Sequence, residues 1–331
     1  MILKPVSQTL STNDMLLVQS IRSETNAFNM DNISRTDAYF RFYKQHPEIH
    51  WAFLASMVSR NAGWNMCDLE GMYFPKLLNK EKRETLFQTY EKANWLIFHD
   101  AFPQLLLYHY SKKCNRAMFH LLKHFHVSSF MEREWNYFWQ HREYRRLLIS
   151  LIVNEQHVIH IPVICHPYIQ KKVFRTSMFL FQDWFHFSSV LLPTCDGDVY
   201  GASVNGFRNV HKRIDLGKRI ASILFDEQLY PSFYQFAAKT VHTGSRYDYE
   251  CYFMKNKSRD TPFLRAVYPI IMPDQHRMME RKDWSIGTKT RSSWYETPTH
   301  HHPILLNEWF LHKQKQIQRI SLLKQLITDE Y

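Results

Sequence analysis

The chain has 331 residues, 45% hydrophobic and 22% charged, with a formal net charge of +11. This composition supplies a large core and excludes wholesale disorder, and the basic balance favours polyanionic partners such as nucleic acid, anionic lipid or phosphorylated metabolites. With 8 Gly against 24 Phe, 18 Tyr and 9 Trp, Gly-rich phosphate loops and tight hairpins give way to bulky helical packing.

Ser11-Thr12-Asn13-Asp14 is capping chemistry and opens a helix over 13–27. Ser34 reads as the cap of a helix through Tyr43, and Pro47 suits the first turn of the next helix, which runs to residue 66. Residues 80–102 follow as a long helix that Pro103 kinks or ends. Further helices are expected over 116–125, 130–157, 167–174 and 177–191. The segment from Pro193 to Gly201 has turn chemistry and is the candidate domain boundary. Helices over 207–226 and 231–241, an irregular stretch over 242–300 and a helix from about 303 to 328 complete the chain. Strand-like alternation is nearly absent. The spacing predicts an all-α, irregular multi-helix bundle with a buried central helix near 47–66. It is one helical domain over 1–331, or two helical parts, 1–192 and 202–331, joined at 193–201.

Five Cys form no CxxC pair, so reduced thiols are expected. The N-terminal residues lack a secretory signal. Polar residues interrupt the apolar stretches 147–165 and 177–193, so no integral membrane segment is expected. A cytoplasmic location follows as an expectation.

The stretch 46–71 is apolar almost all round, yet it carries Arg60, Asn61 and Asn65. Such groups inside a buried helix need partners or a ligand. Ala52, Ser56, Ser59 and Gly63 form a strip of small residues against which a neighbouring helix fits closely. Arg60 is spaced to stack on Trp64, and Asp68 lies one turn further on. One reading makes Arg60 an anion clamp with the two amides orienting a ligand; the other makes all three a structural network. A second constellation, HTGSRYDYE at 242–250, brings His242, Ser245, Arg246, Asp248 and Glu250 together around Gly244, with His242 as candidate acid–base. The two segments are the candidate shared site. Weaker patterns are the carboxylate–histidine pair Asp183/His186, His46/His50, the run His300–His302, and Cys165 beside His166. None completes a metal or nucleophile signature. GxSxG, P-loop and GxGxxG motifs are absent, so no cofactor is implied.

The segments HPEIHWAFLASMVSRNAGWNMCDL at 46–69 and HTGSRYDYE at 242–250 resemble an uncharacterised bacterial family, domain of unknown function 2515, over most of the chain. The resemblance implies a soluble protein of bacilli and their relatives, and it brings no activity, cofactor or catalytic residue. Three functional classes stay open. The first is a module binding a phosphate-bearing small molecule or nucleic acid in a polar internal pocket. The second is a hydrolase or transferase using His242, with Arg60 or Arg246 stabilising negative charge. The third is a peripheral membrane or partner-binding helical protein.

Overall fold

The computed structural model describes residues 10–174, 189–203, 206–254, 257–271, 282–298 and 302–329. Asp183, His186, His300, His301 and most of the helix expected over 177–191 lie outside these residues. Among the described residues the fold is helical, with one two-stranded antiparallel sheet.

Helix α1 (Thr12–Phe28) starts where the capping chemistry places it, with Ser11 Oγ accepting from the Asp14 amide at 3.1 Å. Helix α2 (Asn32–Gln45) is capped by Asp31, not Ser34: the Ser34 amide donates to Asp31 at 2.7 Å. Arg265 holds that carboxylate at 2.6 Å, and a carboxylate at a helix start is favoured over a hydroxyl one turn inside. Helix α3 (His50–Asp68) begins after a turn at His46–Ile49, so Pro47 precedes the helix and does not open it.

After a short helix α4 (Phe74–Leu77), helix α5 (Lys80–Lys113) runs unbroken through Pro103. The proline forfeits a backbone bond, but Phe102, Leu105, Leu106 and Leu107 are all buried around it and hold the helix together. Residues Phe119–Phe125 form a 3-10 helix. The helix expected over 130–157 is two, α6 (Ser129–His141) and α7 (Tyr144–Val158), because Arg142 takes a left-handed φ of 57° and turns the chain. A π-turn over His160–Ile164 and the short α8 (Pro167–Ile169) follow.

The segment read as a domain boundary is the turn of a hairpin. Strand β1 (Ser189–Pro193) pairs with β2 (Val199–Ser203), Leu191 opposite Gly201. Helices α9 (Val210–Leu224), α10 (Tyr230–Lys239), α11 (Tyr247–Phe253), α12 (Leu264–Val267) and α13 (Asn307–Asp329) complete the described chain.

Helix α3 is the buried centre. Trp51, Phe53 and Met57 are fully enclosed. The small-residue strip receives α2: Ser56 Oγ donates to the Thr36 carbonyl at 3.1 Å, and Thr36 Oγ1 donates to Ser59 Oγ at 2.7 Å. The largest apolar cluster includes residues from Val18 to Phe310, so segments before and after the hairpin share it.

Candidate functional site

The two predicted constellations do abut. Asp68, at the end of α3, pairs with the Arg246 guanidinium, and Trp64 Nε1 donates to Asp248 Oδ2 at 3.2 Å. Gly244 takes a φ of +83°, with Leu264 and Cys67 so close that a side chain has no room. That left-handed turn lets the chain reverse so that 245–250 lies against α3.

Much of the polarity is consumed by backbone. Arg60 donates to the carbonyls of Thr240 and Ala237, each at 3.0 Å, and so closes the C-terminal end of α10. Its guanidinium lies 5.7 Å from the Phe236 ring centroid; the expected stacking on Trp64 is replaced by this contact. Burial pulls Arg60 down to about 10. Asn61 Nδ2 donates to the Leu191 carbonyl at 2.7 Å and its Oδ1 accepts from the Leu191 amide at 2.7 Å. Asn65 meets the Tyr90 hydroxyl. Ser245 is tied to Thr261, its Oγ donating to the Thr261 carbonyl at 2.9 Å.

Arg246 is the hub of an ionic cluster. It meets Asp68, Glu250 at 3.1 Å and Asp260 at 3.2 Å, while Lys257 reaches Glu250 at 2.6 Å and Asp260 at 3.3 Å. Three carboxylates face two cations, and burial pushes Asp68 up to about 7. Asp68 therefore carries its proton at acidic pH and gives it up around neutrality, with Arg246 opposing the rise.

His242 is 7% exposed. Its Nε2 meets Asn32 Oδ1 at 2.7 Å, and its Nδ1 lies 3.4 Å from Asp248. Asn32 uses its amide nitrogen on the Ser59 carbonyl at 2.8 Å, so its oxygen faces the ring and Nε2 carries the proton. Burial holds the ring below its ordinary value despite Asp248. The cavity bordered by Asn61, Trp64, Asn65, Asp68 and Arg246 measures about 10 Å³, room for about one water. His242 does not line it.

A different place has the size of a ligand site. Between α7 and α9 lies a groove of about 1050 Å³, the scale of small-molecule pockets. Helix α7 contributes Arg145, Leu148, Ile149 and Ile152 to its wall, and α9 contributes Lys218, Ala221 and Ser222, with Phe225 at its C-terminal cap. Both sets follow the i, i+3, i+4, i+7 spacing of one helix face. Gly217 explains how the helices approach, since a Cβ there would stand 2.7 Å from Ile152 Cγ2.

The wall carries four cations, Arg142, Arg145, Arg146 and Lys218, and one carboxylate, Glu143. Arg146 is neutralised by Glu134, at 2.8 and 2.9 Å in a bidentate pair. Arg145 meets only a hydroxyl, Thr297 Oγ1 at 2.9 Å, among the described residues. Lys218 is 7% exposed and makes no side-chain hydrogen bond or ion pair among the described residues. Burial lowers the pKa of its ammonium; Asp215 and Glu296 oppose that shift and Arg145 adds to it. Asp215 is itself engaged by Arg219 at 3.3 Å. Glu143 provides no side-chain cap for α7, so its first amide groups have no partner within the helix.

Both basic clusters are visible in the sequence. Their convergence is not, because it requires the pairing of α7 with α9. Among the described residues no group of three or more His, Cys, Asp or Glu could hold a metal ion, and no Trp is exposed. The stretch Tyr144–Ile164 is long and apolar enough to cross a membrane, but 61% of its most apolar 18-residue window is buried inside the protein.

These features define a mostly α-helical protein with a polar centre engaged largely by backbone and neighbouring side chains and an open basic groove. The chain belongs to the family described as protein of unknown function (DUF2515), whose model matches residues 27–310. It is 44% identical over 310 residues to an uncharacterised protein, YppC, of Bacillus subtilis (strain 168), covering 93% of this chain and 95% of that one. No solved structure matches.

Proposed function

We propose that this is a cytosolic binding protein for an anionic, phosphate-bearing ligand, and that the ligand sits in the α7/α9 groove. The observation that carries this reading is Lys218, a residue only 7% exposed whose partly buried ammonium has no hydrogen-bond or ion-pair partner among the described residues, in the wall of a groove of about 1050 Å³. Burying an unpaired cation is costly, and a bound anion supplies the missing charge. The start of α7, which its N-cap side chain leaves uncapped, and Arg145 add to the attraction. The polar cluster around Asn61 supports the reading less well. Its Arg60 and Asn61 already serve carbonyl and amide groups, and its cavity holds about one water.

The test is a thermal-shift titration with inorganic phosphate and pyrophosphate on the parent protein, Lys218→Met and Arg60→Ala. The groove reading expects stabilisation of the parent and of Arg60→Ala, and its loss in Lys218→Met. Equal stabilisation of the parent and Lys218→Met, or none in the parent, would overturn it.

A further inference from the structure

We infer that the groove takes an amphiphile: an anionic headgroup such as phosphate held at Lys218, joined to an alkyl or acyl chain lying along Ala221 and Phe225 opposite Ile149. The inference rests on the anion-binding reading above and names the rest of the ligand.

The polarity of the wall is segregated. On the α9 face the only charge is Lys218, and the positions that follow it in the groove are Ala221, Ser222 and Phe225. Lys218 and Phe225 are seven residues apart, about 10 Å along the axis at the helical rise. The Ser222 hydroxyl is spent on the Lys218 carbonyl at 3.0 Å. Facing this strip, α7 offers Leu148, Ile149 and Ile152. Ile149, Ile152 and Ala221 are already buried, but Leu148 and Phe225 are only half-buried; an anion small enough to satisfy Lys218 leaves their apolar surface wet, whereas a chain attached to it covers that surface.

A nucleotide fits less well. Recognition of a base needs open aromatic faces or free donors and acceptors. The Phe225 face is covered by His50, stacked at 4.3 Å. Tyr295 is approached by the Arg146 guanidinium at 5.5 Å from its centroid, and its hydroxyl meets Ser150 Oγ at 3.1 Å. Tyr144, 45% exposed, stays open in the wall at the first residue of α7, but the strip that follows Lys218 is apolar and offers a base no free donor or acceptor, whereas a plain chain asks for none.

The experiment is calorimetric titration with ethyl, butyl, hexyl and octyl phosphate, each kept below its aggregation threshold, on the parent protein, Lys218→Met and Ser222→Trp. The expected result is an affinity that climbs along the series by up to about fourfold per added methylene. Lys218→Met should weaken every member by about tenfold or more. Ser222→Trp, which intrudes into the strip, should hold ethyl phosphate as the parent does and lose the climb. The parent series decides the chain question even if a variant misfolds. A flat series in the parent, with Lys218→Met still weakened, would overturn the amphiphile and leave the anion site standing. Failure of every member to bind the parent would end both. Binding to phosphatidylglycerol vesicles without binding to any monomeric alkyl phosphate would assign the cations to a bilayer surface and overturn the enclosed chain.

Discussion

Asn61 grips Leu191 by both edges of its carboxamide, donating to the carbonyl and accepting from the amide at 2.7 Å each. In a two-stranded antiparallel sheet, alternate residues turn their backbone groups away from the partner strand. Leu191 is such a residue on the outer edge of β1, and Asn61 occupies the place a third strand would take. The outer edge of β2 is treated alike: Asn307 Oδ1 accepts from the Val199 amide at 2.9 Å and its Nδ2 donates to the Gly197 carbonyl at 2.7 Å. Asn61→Leu keeps the branched shape of the side chain but leaves two buried backbone groups unpaired, at about 1–3 kcal/mol each. The expected loss is roughly 2–5 kcal/mol in urea denaturation, without loss of phosphate binding at the groove. A loss under 1 kcal/mol would show that Asn61 does not hold the hairpin.

Lys218→Met predicts the opposite sign. Methionine nearly matches the volume of the lysine and removes a partly buried ammonium that is unpaired among the described residues. The ligand-free variant should therefore be more stable than the parent by on the order of 1–2 kcal/mol. A residue retained only for structure would destabilise on removal, so differential scanning calorimetry without added anion separates the two roles. For the same reason anion affinity in the parent should fall as pH rises through the depressed ammonium pKa.

How far the sequence could be read depends on where each interaction is encoded. Local signals were legible: Ser11 capping α1, the buried character of α3, and the small strip that receives α2. Pairings between distant segments were legible only in part. The polarity of Asn61 betrayed a buried partner, but a carboxamide matches a strand edge and a ligand equally well. The hairpin escaped because Ser189–Leu191 continues an apolar run that fits a helix as well as a buried strand. Pro103 reads in sequence as a kink or an end because the penalty is local, while the packing that offsets it is tertiary. The groove was invisible because its two cationic helices are adjacent only in three dimensions.

The ionic cluster around Arg246 makes a pH-dependent contribution whose direction is set by Asp68. Burial raises this acid from 3.8 to about 7, so between those values the folded protein holds a proton that the unfolded chain releases. Its share of stability is complete below the unfolded value and is lost as pH rises through that window, by at most about 1.4 kcal/mol per pH unit. Glu155, also pushed up to about 7 by burial, acts in the same direction. Asp68→Asn removes one of the two contributions and leaves Arg246 paired with Glu250 and Asp260. The stability of the variant relative to the parent should therefore improve from pH 5 to about pH 7 and level off towards pH 8 in chemical denaturation. A constant difference across that range would mean that Asp68 is ionised throughout.

His242 responds to acid in the other direction. Burial lowers its pKa below 6.5, so the unfolded chain takes up a proton before the folded one does. The contribution is present above the unfolded value and is lost as pH falls below it. His242→Gln should keep a donor for Asn32, cost about 1–2 kcal/mol at pH 8, and abolish the share of acid sensitivity that this ring supplies. His242→Ala leaves Asn32 Oδ1 without its ring partner and opens a cavity beside Gly63, at roughly 3–5 kcal/mol. Denaturation curves at pH 5 and pH 8 for the three proteins decide the matter. If His242→Ala were as stable as the parent at both pH values, the ring would be a spectator in folding. Its retention in so tight a place would then call for the acid–base role that the enclosed geometry argues against.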